Sequence, residues 1–192
     1  MRKARLILAS ASPRRAALLR QLGINFDVVP ADIDETRRAG EAVQHYVAGL
    51  AFEKSQAVLH AAPPGVPVLG ADTAVDLDGA VLGKPANRDA ALLMLTALSG
   101  RAHRVFSAVA ISTVERHSQR FCITRVHFRE ISAAECCAYW ATGEPRDKAG
   151  AYAIQGMAAV FITALHGSYS GVMGLPLFET GELMQDFGIE IP

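Results

Sequence analysis

The chain has 192 residues, enough for a single domain over 1–192 with a core of its own. Hydrophobic residues make up 51% and charged residues 20%, a balance that excludes intrinsic disorder. The formal net charge is zero and no apolar stretch reaches membrane-span length. No global field therefore draws the molecule to nucleic acid or an anionic membrane, and any cationic function must be local.

Taken in chain order, residues 5–9 read as a short buried strand. Ser12 is a fair N-cap and Pro13 fits the first helical position, so a helix runs from 13 to about 22, with Gly23 as its stop. NFDVVP reads as a second strand, followed by the acidic turn ADIDET. A long helix is expected over 41–60, with an apolar stripe of Val43, Val47, Leu50, Ala51 and Val58. Lys54 falls inside that stripe, where a lysine either snorkels at the edge or points into a cleft. VPVLGAD reads as a buried strand ending at Asp72, and TAVDLDGAVLGK as a hairpin turning at Asp78-Gly79. Asn87 caps a helix to about 98. Two strands, HRVFSAVAIST and RFCITRVHFRE, are joined by a polar loop. Ser132-x-x-Glu135 is a capping box that opens a helix to about 142. The loop GEPRDKAG, a strand-like AAVFITALHG and a last helix over 176–187 complete the chain. Strands alternating with helices, plus two hairpins, predict a mixed-sheet α/β or α+β fold.

The three cysteines, Cys122, Cys136 and Cys137, form an odd, clustered set without zinc-type spacing, which points to reduced thiols and a cytoplasmic setting. The opening MRKARLILAS imitates a signal peptide, but its apolar run is too short and Arg14-Arg15 follow at once. The six histidines show no metalloprotease or triad pattern and read as structural or surface residues.

Several groups carry chemistry. In SASPRR a strand becomes a helix, and the helix N-terminus offers free N–H groups and partial positive charge. Ser10 and Ser12 add donors there, and Arg14 and Arg15 add charge with bidentate geometry suited to phosphate. The alternative is an ordinary cap with solvated arginines, although arginine early in a helix opposes the dipole. Asp72, at a strand end, and the acidic cluster containing Asp32 and Glu35 are candidate ligands for a hard cation; taken singly, each is better explained as a turn or solvated residue. Cations total 15 Arg and only four Lys, which makes the placement of Lys54, Lys84 and Lys148 informative. GAVLGKP imitates a Walker A loop but is one residue short and has Pro85 where Ser or Thr belongs, so P-loop chemistry is rejected.

Five stretches, LASASPRR, GADTAVDLDGAVLGKP, LSGRAHRVFSAVA, GEPRDKAGAYAIQG and GVMGLPLFET, occur in this order. Over 6–183 they make the chain similar to the Maf family of nucleoside triphosphate pyrophosphatases. The resemblance implies an elongated α/β fold of the Maf and ITPase-like kind, with a mixed twisted sheet flanked by helices and a central cleft between two lobes. It implies hydrolysis of a nucleoside triphosphate to monophosphate and pyrophosphate with Mg²⁺ or Mn²⁺, and a homodimer. Carried onto this chain, Asp72 takes the catalytic position and Glu35 joins it at the metal. Ser10, Arg14, Arg15, Lys54 and Lys84 take the phosphates, and Arg14, Thr73 and Gln155 take the positions that set specificity. DKAGAYAIQG resembles the branch acting on dTTP and UTP. Gln155 suits it, because an amide presents both donor and acceptor to the uracil or thymine edge. Two other readings stay open: a pyrophosphatase for 7-methyl-GTP or other noncanonical nucleotides, and a nucleotide-sensing regulator of cell division. One departure is Ser170-Gly171, where many relatives carry Asn.

Overall fold

The computed structural model describes residues 6–192; Arg5, expected to begin the first strand, lies outside them. Strand β1 (Leu6–Leu8) is wholly buried and leads through the serine turn into α1 (Pro13–Gln21). Ser12 is the N-cap as expected, its Oγ accepting from the Arg15 N–H at 3.4 Å. Next come β2 (Phe26–Val28) and α2 (Val43–Leu59), then β3 (Val68–Leu77) and β4 (Ala80–Leu82). The β3–β4 turn sits on Asp78 and Gly79 with φ of 53° and 88°, the left-handed pair a two-residue hairpin demands. Helix α3 (Arg88–Leu98) begins at Asn87, whose Oδ1 accepts from the Ala90 N–H. The long hairpin β5 (Ala102–Ser112) and β6 (His117–Phe128) precedes α4 (Ala133–Ala141), which opens on the expected capping box. Short 3₁₀ turns at Glu144–Asp147, Ala149–Ala151 and Met157–Phe161 follow, then β7 (Ile162–His166), α5 (Tyr169–Met173) and α6 (Leu177–Asp186).

The seven strands form one mixed sheet in the order β2-β1-β3-β5-β6-β7, with β4 also on β3. β1 runs parallel to β2 and β3, and the remaining pairs are antiparallel. Alternation along β3 assigns its two faces. Val68 and Ala74 pack with α2, whereas Leu69 and Ala71 join a core with α1 and α6 at one end. Val75 and Leu77 join a second core with α3 and α4 at the other. Two apolar lobes thus share one mixed sheet: the sheet is the one the alternation of elements predicts, and the two lobes are those the family resemblance implies.

Three local expectations are corrected. Asp72 does not end its strand; β3 continues five residues further because β5 pairs with it from Val68 to Asp76. Part of the strand expected over 158–167 is a 3₁₀ turn to Phe161. Helix α5 stands where no element was expected, its five residues being too few to show a period.

What matters for Asp72 is the other edge of β3. β1 reaches only to the Leu8–Leu69 pair, and β4 takes up pairing at Val75. Between them, residues 70–74 have no strand on that edge, so the sheet is split there while β5 still braces the opposite side.

Helix α2 lies directly on this stretch because residue 70 is glycine. A Cβ there would stand 2.1 Å from the Ala51 carbonyl oxygen and 2.7 Å from the Ser55 nitrogen, both helix backbone. We expect Gly70→Ala to push α2 off the sheet and destabilise the fold by roughly 1–3 kcal/mol. Gly49→Ala, in the same helix but with open space around it, should be neutral or stabilising. Denaturant midpoints of the two variants check this, and equal midpoints would contradict it.

Candidate functional site

The split in the sheet opens into a cleft of about 590 Å³. Of the residues singled out in the sequence, Ser10, Ser12, Arg14, Arg15, Glu35, Lys54, Asp72, Thr73, Lys84, Lys148 and Gln155 line it. Asp32 is exposed and does not.

The serine turn forms one wall. Ser10 Oγ accepts from the Ser12 N–H at 3.2 Å and from Arg15 Nη1 at 3.3 Å. Arg15 Nε donates to the Gly174 carbonyl at 2.8 Å, and its Nη2 stands 4.0 Å from Asp72 Oδ1. Arg15 is therefore fixed from two sides, while Arg14 beside it is half-buried.

The floor is Asp72, whose side chain is 9% exposed. Lys54, projecting from the buried face of α2, bonds Asp72 Oδ1 at 2.7 Å and Glu35 Oε1 at 2.7 Å. Of the two readings of a lysine in an apolar stripe, the cleft reading holds. Burial pushes the Glu35 carboxyl up, but the hydrogen bond and charge of Lys54 outweigh it and leave it below its ordinary range. The loop bearing Glu35 is tied to α2 by Tyr46, whose hydroxyl donates to the Glu35 carbonyl at 2.9 Å. Asp72 Oδ2 makes no hydrogen bond with any described residue. Two carboxylates meeting one cation are an all-oxygen pair suited to a hard ion that completes its shell with water and phosphate oxygens. No group of three or more His, Cys, Asp or Glu able to hold a metal is present among the described residues.

The second lobe brings Lys84, which is exposed, together with Lys148 and Asp147. Burial lowers the Lys148 pKa and the charge of Arg14 lowers it further, with Lys84 adding to the effect. Cations that disfavour one another across a cleft are relieved by an anion between them. Sequence reasoning noted Lys148 only as a candidate charge; its place in the cleft depends on how the 3₁₀ turns fold. It missed Gly174 altogether. That carbonyl, at a glycine with φ 122°, accepts from both Arg15 Nε and, at 3.4 Å, Thr73 Oγ1. Thr73 Oγ1 also lies 3.1 Å from Ser107 Oγ, which itself donates to the Gly171 carbonyl at 2.6 Å. Ser170 does not line the cleft. Its Oγ accepts from the Leu177 N–H at 3.0 Å, so Ser170 holds the α5–α6 loop.

A family model described as Maf-like protein matches residues 5–187. The chain belongs to the Maf family. A relative from Methylococcus capsulatus, named dTTP/UTP pyrophosphatase, is 49% identical over 185 residues, covering 96% of this chain and 92% of that protein. Another of the same name, from Aromatoleum aromaticum, is 48% identical over 97% of both chains. A third, from Saccharophagus degradans, is 47% identical over 97% of this chain and 90% of its own.

The wall next to Gln155 is Tyr152, buried, its hydroxyl 2.8 Å from His103 Nε2. His103 packs edge-on to Phe128 and Tyr152, and burial, then the nearby His127, pushes its pKa from 6.5 to about 4. The folded protein thus refuses a proton that the unfolded chain accepts. The resulting stability is complete above pH 6.5 and is lost as pH falls toward 4. Wild type should lose roughly 2 kcal/mol more than His103→Gln between pH 7 and 4.5 by urea unfolding. Equal losses would contradict a neutral, buried His103.

Proposed function

We propose that this protein hydrolyses dTTP and UTP, each with one water, to the nucleoside monophosphate and pyrophosphate. The observation that carries the reading is the Lys54 ammonium bonded to both Asp72 and Glu35 in a cleft faced by Arg14, Arg15, Lys84 and Lys148. The relatives of nearly half identity, matched over 90–97% of their length and all named for that activity, support the choice of base.

The cationic wall takes the triphosphate. Arg14 and the N–H groups at the start of α1 face its oxygens, and Arg15, already anchored on Gly174, offers its remaining N–H groups. Asp72 is the general base: it takes a proton from water as the water oxygen bonds the α-phosphorus and the bond to the β-phosphate oxygen breaks. Lys54, Lys84 and Lys148 offset the charge gathering on departing pyrophosphate. Glu35 and Asp72 would hold a Mg²⁺ or Mn²⁺ ion, which when bound supplies Lewis-acid polarisation of phosphoryl oxygens. Gln155, exposed at the cleft, pairs the O4 and N3–H edge of uracil or thymine and rejects cytosine, whose pattern is inverted. The free thiols Cys122, Cys136 and Cys137 support a reducing, cytoplasmic setting. Assembly as a homodimer rests on the habit of the family.

The test is pyrophosphate release from dTTP, UTP, CTP, GTP, ATP and 7-methyl-GTP with Mg²⁺ or Mn²⁺. Release from dTTP and UTP is expected; release from 7-methyl-GTP alone would replace the base assignment, and none from any would end the enzymatic reading. Asp72→Asn should lower kcat by ~100-fold or more while still folding, with a lowered Tm because Lys54 keeps only Glu35 as a bonded carboxylate; near-normal turnover would remove Asp72 from its role. Gln155→Ala should lower the kcat/KM ratio of UTP over CTP more than it lowers kcat on UTP, and an unaltered ratio would move base reading elsewhere.

A further inference from the structure

Gln155 stands in the turn 153–157, where the Gly156 N–H closes on the Ala153 carbonyl at 3.0 Å. Such a turn on its own would hold an exposed amide loosely. Two residues outside the cleft grip it. Glu144 Oε2 accepts from the Met157 N–H at 3.1 Å, and Oε1 lies 3.5 Å from the Ala158 nitrogen, so one carboxylate caps the 3₁₀ turn that follows Gln155. The same Oε1 accepts from the Tyr139 hydroxyl at 2.6 Å, and that hydroxyl in turn accepts from the Ala153 N–H at 3.1 Å. Tyr139 and Glu144 thus hold the backbone on both sides of Gln155, two residues before it and two after.

The grip is built rather than incidental. Tyr139 is buried, with its ring edge-on to Phe161 at 5.4 Å. Glu144 is set by the end of α4, its N–H donating to Thr142 Oγ1 at 3.2 Å after the left-handed Gly143. Gly156 lies against the carboxylate so closely that a Cβ would stand 2.1 Å from Glu144 Oε2. The glycine after Gln155 is thereby explained by the clamp and not by backbone freedom. Burial, then the Glu144 carboxylate, pushes the Tyr139 pKa upward, so the hydroxyl keeps the proton it donates.

We propose that Glu144 and Tyr139 are positioning residues for base selection, fixing where the Gln155 amide meets the nucleobase. The proposal rests on the reading of Gln155 as the base-reading residue. Selectivity by paired hydrogen bonds is sensitive to the shell that holds the pairing group.

Tyr139→Phe is the first variant, because it keeps the ring and removes only the bridging hydroxyl; Glu144→Gln is the second. For each, kcat/KM for UTP and CTP is measured alongside Tm and amide exchange. The expected result is a UTP-over-CTP ratio lowered by ~10-fold, a smaller change in kcat on UTP, and faster exchange at Ala153 in the first and Met157 in the second. A folded Tyr139→Phe and Glu144→Gln with wild-type ratios would overturn the proposal even if their Tm fell, since a purely structural role lowers stability without moving selectivity. Wild type that fails to prefer UTP would instead sink the pyrimidine reading beneath it. In that case unchanged exchange at Ala153 and Met157 would show separately that no clamp exists.

Discussion

The Lys54 ammonium, carried on a helix face that is otherwise apolar, is bonded at 2.7 Å to both Asp72 and Glu35. A buried ammonium without partners would cost several kcal/mol, and so would a buried carboxylate. Each is tolerable only because the other is there, and this ties three distant parts of the chain to one point. α2 must lie close on β3, which Gly70 permits by having no side chain. The acidic loop must fold back over α2, which Tyr46 secures. Arg15, 4.0 Å from Asp72, brings the first wall to the same centre.

The sheet supplies the space. Had β1 been a few residues longer, its backbone would have covered the edge of β3 beside Asp72. Instead β1 ends at Leu8 and β4 pairs with β3 only from Val75 to Leu77, and the chain leaving β1 turns at once into the N-terminus of α1, where backbone N–H groups are free. The second lobe brings Lys84 from the loop after β4 and Lys148 from between two 3₁₀ turns. The 3₁₀ turns of this lobe depend on side-chain bonds such as those of Glu144 for their shape. The cleft brings cationic side chains and the Gln155 amide together, the combination that the proposed nucleotide substrate calls for: phosphates give affinity, and the base edge gives selectivity.

Much of this was legible in the sequence because it is local. The caps at Ser12, Asn87 and Ser132 and the Asp78-Gly79 hairpin are written within four residues. Lys54 was legible one level higher, as a charge on the wrong side of a helical period. The end of β3 was not, because a strand runs as far as its neighbours do, and β5 lies some thirty residues away. α5 has no periodicity to read, and the carbonyl of Gly174 leaves no trace in side-chain chemistry. The roles of Arg14, Thr73 and Gln155 came from family resemblance. Their shared cleft came from the fold.

Most of the account depends on where water attacks. Hydrolysis of UTP in ¹⁸O-enriched water, followed by mass analysis of both products, reads that directly. With Asp72 as base at the α-phosphorus, the label enters UMP and pyrophosphate carries none. Label in pyrophosphate would place the attack on the β-phosphorus and would contradict the arrangement of Asp72, Lys54 and the cationic walls described above.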